Sequence, residues 1–308
     1  MSTLSIIFPL LFMASLGYLL TAKGPFTKEH IAGISLFTFY ICIPAFLFIN
    51  MYQADLGSSF DTSSLCTFYL PVIAVYGLSA GLYYYLSPRE TENRSNSAVY
   101  ALGCSYSNTI LVGLPIIVGA LGEVMMGKVF AIITFHSALL FSLTFILSSK
   151  QKIGVMGAWN FSKGIIFNPI VLSISTGLIL NLLQVPLEHN LTNGLRLLSE
   201  PALACALFVL GANLVFYKVA KGWHLALIAS VIKLLLLPLC VYAIGRFAFS
   251  VEGDSLALLV LLSASPLGVN AYLVAMQVQA QQALIASTVV MSTVLSVFTM
   301  SLWLTILL

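Results

Sequence analysis

The chain has 308 residues, of which 60% are hydrophobic and only 7% charged, and its net charge is +3. A soluble domain carries roughly 25% charged residues, so these proportions exclude a water-soluble globular protein and describe a polytopic membrane protein. The charge is scattered over loops with no arginine-rich run or acidic tail, so nucleic acid is not an indicated partner.

Hydropathy and breaker residues predict ten spans, at 4–21, 31–50, 64–86, 97–119, 129–148, 165–184, 196–216, 224–248, 255–276 and 283–306. The first reads as a true span, because no basic residue precedes it as in a cleaved signal. Span 3 ends in Tyr83, Tyr84 and Tyr85, which read as an interfacial belt. Spans 9 and 10 are the clearest, since Ser255 to Leu308 holds no charged side chain; a hairpin at 277–282 divides them. The five cysteines, Cys42, Cys66, Cys104, Cys205 and Cys240, all fall in apolar segments with neither zinc-site nor disulfide-framework spacing.

Basic residues set the orientation. Loops after spans 1, 3, 5 and 7 hold nine of them (Lys23, Lys28, Arg89, Arg94, Lys150, Lys152, Lys163, Lys218 and Lys221), against Lys128 and Arg196 in the opposite loops. The positive-inside rule then places both termini outside the cytoplasm and the loop 149–164 in the cytosol, in a multi-pass protein of the cell membrane.

Five spans per half make any repeat between residues 1–150 and 151–308 an inverted one. Pro9 and Gly17 in span 1 share their offset with Pro169 and Gly177 in span 6, Pro44 parallels Pro201, and Leu70-Pro71 parallels Leu237-Pro238. The expected fold is an all-α membrane protein of ten transmembrane helices in a 5+5 inverted repeat.

Spans 4 and 9, the pair left in register, carry the most informative residues. Asn108-Thr-Ile-Leu-Val-Gly-Leu-Pro115 and Ser265-Pro-Leu-Gly-Val-Asn270 each put Asn, Gly and Pro inside an apolar run. Proline lacks an N–H and clashes with the preceding turn, so each motif predicts a broken helix. Paired broken helices point to a transporter's substrate site. The helix N-terminus exposed at each break favours an anion, and the Asn108 and Asn270 amides can bind a carboxylate without placing a full charge in lipid. The same amides could instead satisfy backbone groups freed by Pro115 and Pro266. Gly113 and Gly268 would let the two chains approach closely.

These residues resemble the auxin efflux carrier family, ten-span carriers that include plant auxin transporters and bacterial carriers of small carboxylates. The resemblance rests on Asn108-Thr109 with Gly113 and Pro115, on Pro266, Gly268, Asn270, Tyr272 and Ala275, and on Pro44, Pro201, Gly211, Lys233 and Pro238. It implies a scaffold of spans 1, 2, 6 and 7 that also holds homodimer contacts. It implies a mobile core of spans 3–5 and 8–10, with spans 4 and 9 crossing at their breaks, and elevator-type alternating access. The short central loop favours a bacterial-type carrier, and Gln277 stands where the family often has a charge.

The candidate substrate site therefore comprises Asn108, Thr109, Gly113, Pro115, Ser265, Pro266, Gly268, Asn270 and Tyr272. Lys233, deep in span 8, either faces this site as a charge or snorkels to the interface. His136 in span 5 either carries a proton or is simply hydrogen-bonded. Asn213 and Tyr40 are candidates for the face between scaffold and core, and Glu200 for the outer boundary.

No residue pattern points to a cofactor or metal. The acidic residues all fall in loops or at span ends, so a proton relay lacks its usual carboxylate; coupling to Na⁺, to H⁺ or to neither stays open. His-Glu-x-x-His is absent, a Gly-x-Ser-x-Gly elbow is not expected either, and an enzyme is not expected. The reading is a secondary transporter of a small organic anion, a carboxylate, working in the lipid bilayer. The alternatives are a sodium-coupled symporter of bile-acid-symporter type and a membrane ligand sensor that does not transport.

Overall fold

Proline and glycine decide where the apolar runs of this chain stop being regular helix. In the computed structural model, which describes residues 3–54, 61–86, 93–148, 169–216 and 223–308, the elements are helical, with one isolated bridge and no strand among the described residues. We number the helices α1 (Thr3–Ala22), α2 (Lys28–Gln53), α3 (Thr62–Leu86), α4 (Asn93–Ser105), α5 (Thr109–Leu121), α6 (Glu123–Ser148), α7 (Pro169–Leu182), α8 (His189–Leu214), α9 (Trp223–Ala248), α10 (Gly253–Ala264), α11 (Asn270–Val278) and α12 (Gln282–Leu307). Six of them, α2, α3, α6, α8, α9 and α12, are by length and composition able to cross a bilayer. The loop 149–164 and the boundary at residue 150 fall outside the described residues, as do Arg89, Lys150, Lys152, Lys163, Lys218 and Lys221.

Three prolines reshape their helices in the same way. In α2, α5 and α9 a five-residue π turn (Thr38–Cys42, Thr109–Gly113 and Ile232–Leu236) ends two residues before Pro44, Pro115 and Pro238. A proline ring collides with the carbonyl four residues back, and the wider π turn moves that carbonyl aside at the cost of a hydrogen bond. The freed group must find another partner in lipid. For Pro238 the carbonyl is that of Leu234, and the indole N–H of buried Trp303 on α12 donates to it at 3.1 Å. Pro71, by contrast, is accommodated inside the single helix α3.

Small residues then bring helices into backbone contact. The α carbon face of Gly17 in α1 lies against the backbone of Phe208 and Ala212 in α8, and Gly211 lies against the backbone of Ala14. Gly177 in α7 packs in the same manner on the Phe48–Tyr52 stretch of α2. Any side chain at Gly17, Gly211 or Gly177 would force these pairs apart. At the end of α2, the Asn181 amide donates to the carbonyls of Met51, Tyr52 and Ala54 at 3.1, 2.7 and 2.8 Å, closing groups that the helix end leaves open.

The densest packing surrounds α10, where every residue from Leu256 to Ala264 is buried, with α3, α5, α9 and α12 packed against it. Two expectations need correction. Helix α8 begins at His189 and not at 196, because Glu188 accepts a hydrogen bond from Leu191 N–H at 2.9 Å and caps a polar first turn that hydropathy does not register. Tyr83 is not part of an exposed belt with Tyr84 and Tyr85. It is only 4% exposed, its ring centroid lies 5.0 Å from that of Tyr100, and its hydroxyl accepts from Gln281 at 2.7 Å.

Candidate substrate site at two helix breaks

Both Asn-Gly-Pro motifs are breaks in the backbone, and the two breaks touch. Helix α4 stops at Ser105 and α5 starts at Thr109; helix α10 stops at Ala264 and α11 starts at Asn270. Between them Ser107 and Leu267 form an antiparallel bridge, with Asn108 N–H donating to the Pro266 carbonyl at 2.8 Å. Four segment ends therefore meet at one buried place, with two helix N-termini among them.

The side chains around the bridge satisfy what the breaks expose. Ser107 N–H donates to His136 Nε2 of α6 at 2.9 Å, and Leu267 N–H donates to the Ser292 hydroxyl of α12 at 3.0 Å. Each break is thus held by a side chain from the long helix that follows it. The Ser263 carbonyl, left open where α10 ends, accepts from Lys233 Nζ at 2.5 Å and lies 3.5 Å from the Ser107 hydroxyl. Lys233 is fully buried, so its chain does not snorkel. It sits in the π turn of α9 that Pro238 induces, and its Nζ meets the carbonyl end of α10.

Asn108 combines both roles open to it. Its Oδ1 accepts from Leu111 N–H at 3.3 Å and caps α5, while its Nδ2, equally buried, has no partner. An unpaired buried amide N–H₂ costs about 1–3 kcal/mol, so the group is set to receive an acceptor. Gly113 lies against α10, where a β carbon would come within 2.9 Å of Leu262 Cδ2 and Ser265 Oγ. A β carbon on Gly268 would overlap the Tyr106 ring. Both glycines thus allow the close approach their positions suggested.

The remaining expected residues divide. Thr109 and Pro115 are buried at the start of α5, Ser265 donates to the Leu261 carbonyl at 3.1 Å, and Pro266 supplies the bridging carbonyl. Asn270 is half-buried near the Tyr106 hydroxyl, which is hydrogen-bonded to Ser137 at 2.9 Å, and Tyr272 is half-buried in the first turn of α11. His136 is hydrogen-bonded through an acceptor nitrogen; its ring stacks on Tyr106 at 5.1 Å and 9° and meets Phe68 edge-on at 5.5 Å. Asn213 is half-buried on α8, and Tyr40 is largely exposed on α2. Neither is hydrogen-bonded to the breaks among the described residues.

Sequence reading missed Tyr106, Ser107, Ser263, Ser292 and Trp303 as members of this centre, because serine and aromatic residues are ordinary components of membrane helices. It also expected no Gly-x-Ser-x-Gly elbow, whereas Gly77-Leu-Ser-Ala-Gly81 has that spacing. That run lies within the continuous helix α3 with Ser79 buried, so the strand-turn-helix elbow of a serine hydrolase is not what it forms.

Comparison with known proteins matches essentially the whole chain. A model of the family described as membrane transport protein matches residues 3–159 and 158–304. An "Uncharacterized transporter" of Methanothermobacter thermautotrophicus is 24% identical over 305 residues, covering 98% of both chains. A "Putative malonate transporter" of Rhizobium meliloti is 23% identical over 306 residues, covering 96% of this chain and 93% of its own. The chain belongs to the membrane transport protein family, the auxin efflux carriers.

Proposed function

We propose that the protein is a secondary carrier of a small organic anion, a carboxylate, bound where the two breaks meet. The observation that carries this reading is the buried, unpartnered Nδ2 of Asn108 beside two helix N-termini and a buried lysine. Donors and partial positive charge converge there, among the described residues without a carboxylate side chain to neutralise them, which suits an anionic guest. The name of the Rhizobium relative makes malonate the first substrate to try.

In this reading the chain forms ten spans, α4 with α5 and α10 with α11 each counting as one broken span, in two inverted halves. The reciprocal packing of Gly17 on α8 and Gly177 on α2 supports it, as does the matching role of His136 and Ser292. The cores α3–α6 and α9–α12 would carry the site across the membrane against a scaffold of α1, α2, α7 and α8 in an elevator-type movement, within a homodimer in the cell membrane. Both termini would lie outside the cytoplasm.

The test is flux. Protein reconstituted in liposomes loaded with labelled malonate should release it faster than empty liposomes, and an inside-negative potential should accelerate the release of the anion. No carboxylate-dependent flux under either potential, from protein shown to be folded, would refute the carrier reading.

A further inference from the structure

Away from the breaks, α1, α2 and α8 line an open, shallow apolar groove of about 520 Å³ formed by Met13, Phe26, Ile34, Phe37, Cys205 and Phe208, with Gly33 and Ala204 opening its walls. We propose that this groove binds one acyl chain of an anionic phospholipid, with the headgroup held at the Lys23–Lys28 end. Three observations carry the assignment.

The first is length. On α2 the groove is lined by Gly33, Ile34 and Phe37, the last of them nine residues, or about 14 Å, along the helix from Lys28. That is nearly half of the roughly 30 Å hydrocarbon core, the depth reached by a chain from one leaflet. The second is charge. Phe26, one of the lining residues, stands in the turn between Lys23 and Lys28, both exposed; with Glu29, which follows Lys28, the described charges at this end sum to +1. The same end carries the basic side of the chain's loop asymmetry, where anionic lipid is concentrated. The third is vacancy of the walls. A β carbon at Gly33 would meet nothing within 4 Å, although a glycine inside a helix costs roughly 1 kcal/mol relative to alanine. Its neighbours across the groove, Phe26 and Phe208, hold each other edge-to-face with ring centroids 5.5 Å apart, so the space does not close by collapse of the aromatic wall.

One net positive charge near the membrane surface predicts about a fivefold preference for phosphatidylglycerol over phosphatidylcholine. The experiment is native mass spectrometry of the purified protein after exposure to mixed micelles holding the two lipids in equal amounts. The expected result is retention of phosphatidylglycerol at about that preference. Gly33→Leu, which fills the groove from α2, should abolish retention, and Ala204→Leu should do the same from α8. The double variant Lys23→Gln/Lys28→Gln should keep lipid but lose the preference. Equal retention of both lipids by the native protein would overturn the proposal, as would unchanged retention in both groove-filling variants. Conversion of a lipid-free dimer to monomer by Gly33→Leu would also overturn it, since the groove would then belong to a second copy of the chain. Malonate flux is read separately, so the fate of the carrier assignment and that of the groove are distinguishable.

Discussion

His136 offers a sharp test of how the first break is held. Its Nε2 accepts from Ser107 N–H at 2.9 Å, so the proton of the neutral ring resides on Nδ1, and the ring acts as a cap for a backbone group that α4 has released. Replacing it by Phe keeps the stacking on Tyr106 but removes the acceptor. A buried N–H left unpaired costs about 1–3 kcal/mol, and hydrogen bonds measured in membrane proteins average about 0.6 with a maximum near 1.7 kcal/mol. The expected loss is therefore at most about 1–1.5 kcal/mol, up to roughly tenfold in the folded-to-unfolded ratio, because Phe also removes the buried Nδ1–H, which has no partner of its own. Gln places its amide oxygen close to where Nε2 lies, whereas the shorter Asn reaches only as far as Nδ1. His136→Gln should thus retain most of the stability and of the flux, while His136→Asn and His136→Phe lose both. The assay is unfolding in mixed micelles alongside malonate flux as a function of pH. If His136→Gln is as damaging as His136→Asn, or if it alone removes a pH dependence of flux, the ring does more than cap Ser107 and the reasoning fails.

Three further outcomes follow from the packing and charges. Gly268→Ala should cost about 1–3 kcal/mol because its β carbon overlaps the Tyr106 ring. Combining it with Tyr106→Ala should be milder than the sum of the two, and strict additivity in thermal unfolding would deny the contact. Lys233→Met keeps an apolar stem but leaves the Ser263 carbonyl with only the distant Ser107 hydroxyl; carboxylate binding measured by equilibrium dialysis should fall about tenfold or more. Asp61, just before α3, is partly desolvated, but hydrogen bonds from Ser64 and Ser63, with Lys128 nearby, outweigh this and hold its carboxyl below the usual range. A depressed pKa contributes stability that is present above the unfolded value near 4 and is lost as pH falls through the folded one. Asp61→Asn should flatten that part of the acid limb of the stability profile, and an unchanged limb would contradict the cap.

Residue chemistry made the breaks legible. Proline, glycine and asparagine in an apolar run carry a local meaning, so the interruptions at Asn108 and Pro266 could be placed to within a few residues. Lys233 was conspicuous for the same reason, although its direction was not, because a long side chain can run toward either water or protein. What the chain does not encode locally is which freed group meets which partner. Nothing around Ser292 or His136 marks them as receivers of the Leu267 and Ser107 amides, and Trp303 lies 69 positions from the carbonyl that it closes. Tyr83 was misread because its two neighbours are surface residues, at 45% and 81% exposure, and a helix turns successive side chains through about 100°.

Asn108→Asp addresses the central claim most directly. The aspartate keeps an oxygen to cap Leu111 N–H, so α5 should still form, but it replaces the unpartnered Nδ2 donor by a second acceptor. Calorimetric titration of malonate and other short carboxylates into purified native protein and this variant is the deciding measurement. The account predicts saturable binding of at least one carboxylate to the native protein, lost in a variant whose unfolding temperature is close to native. Carboxylate binding of equal affinity to both proteins would show that the anion is held elsewhere and would contradict the site.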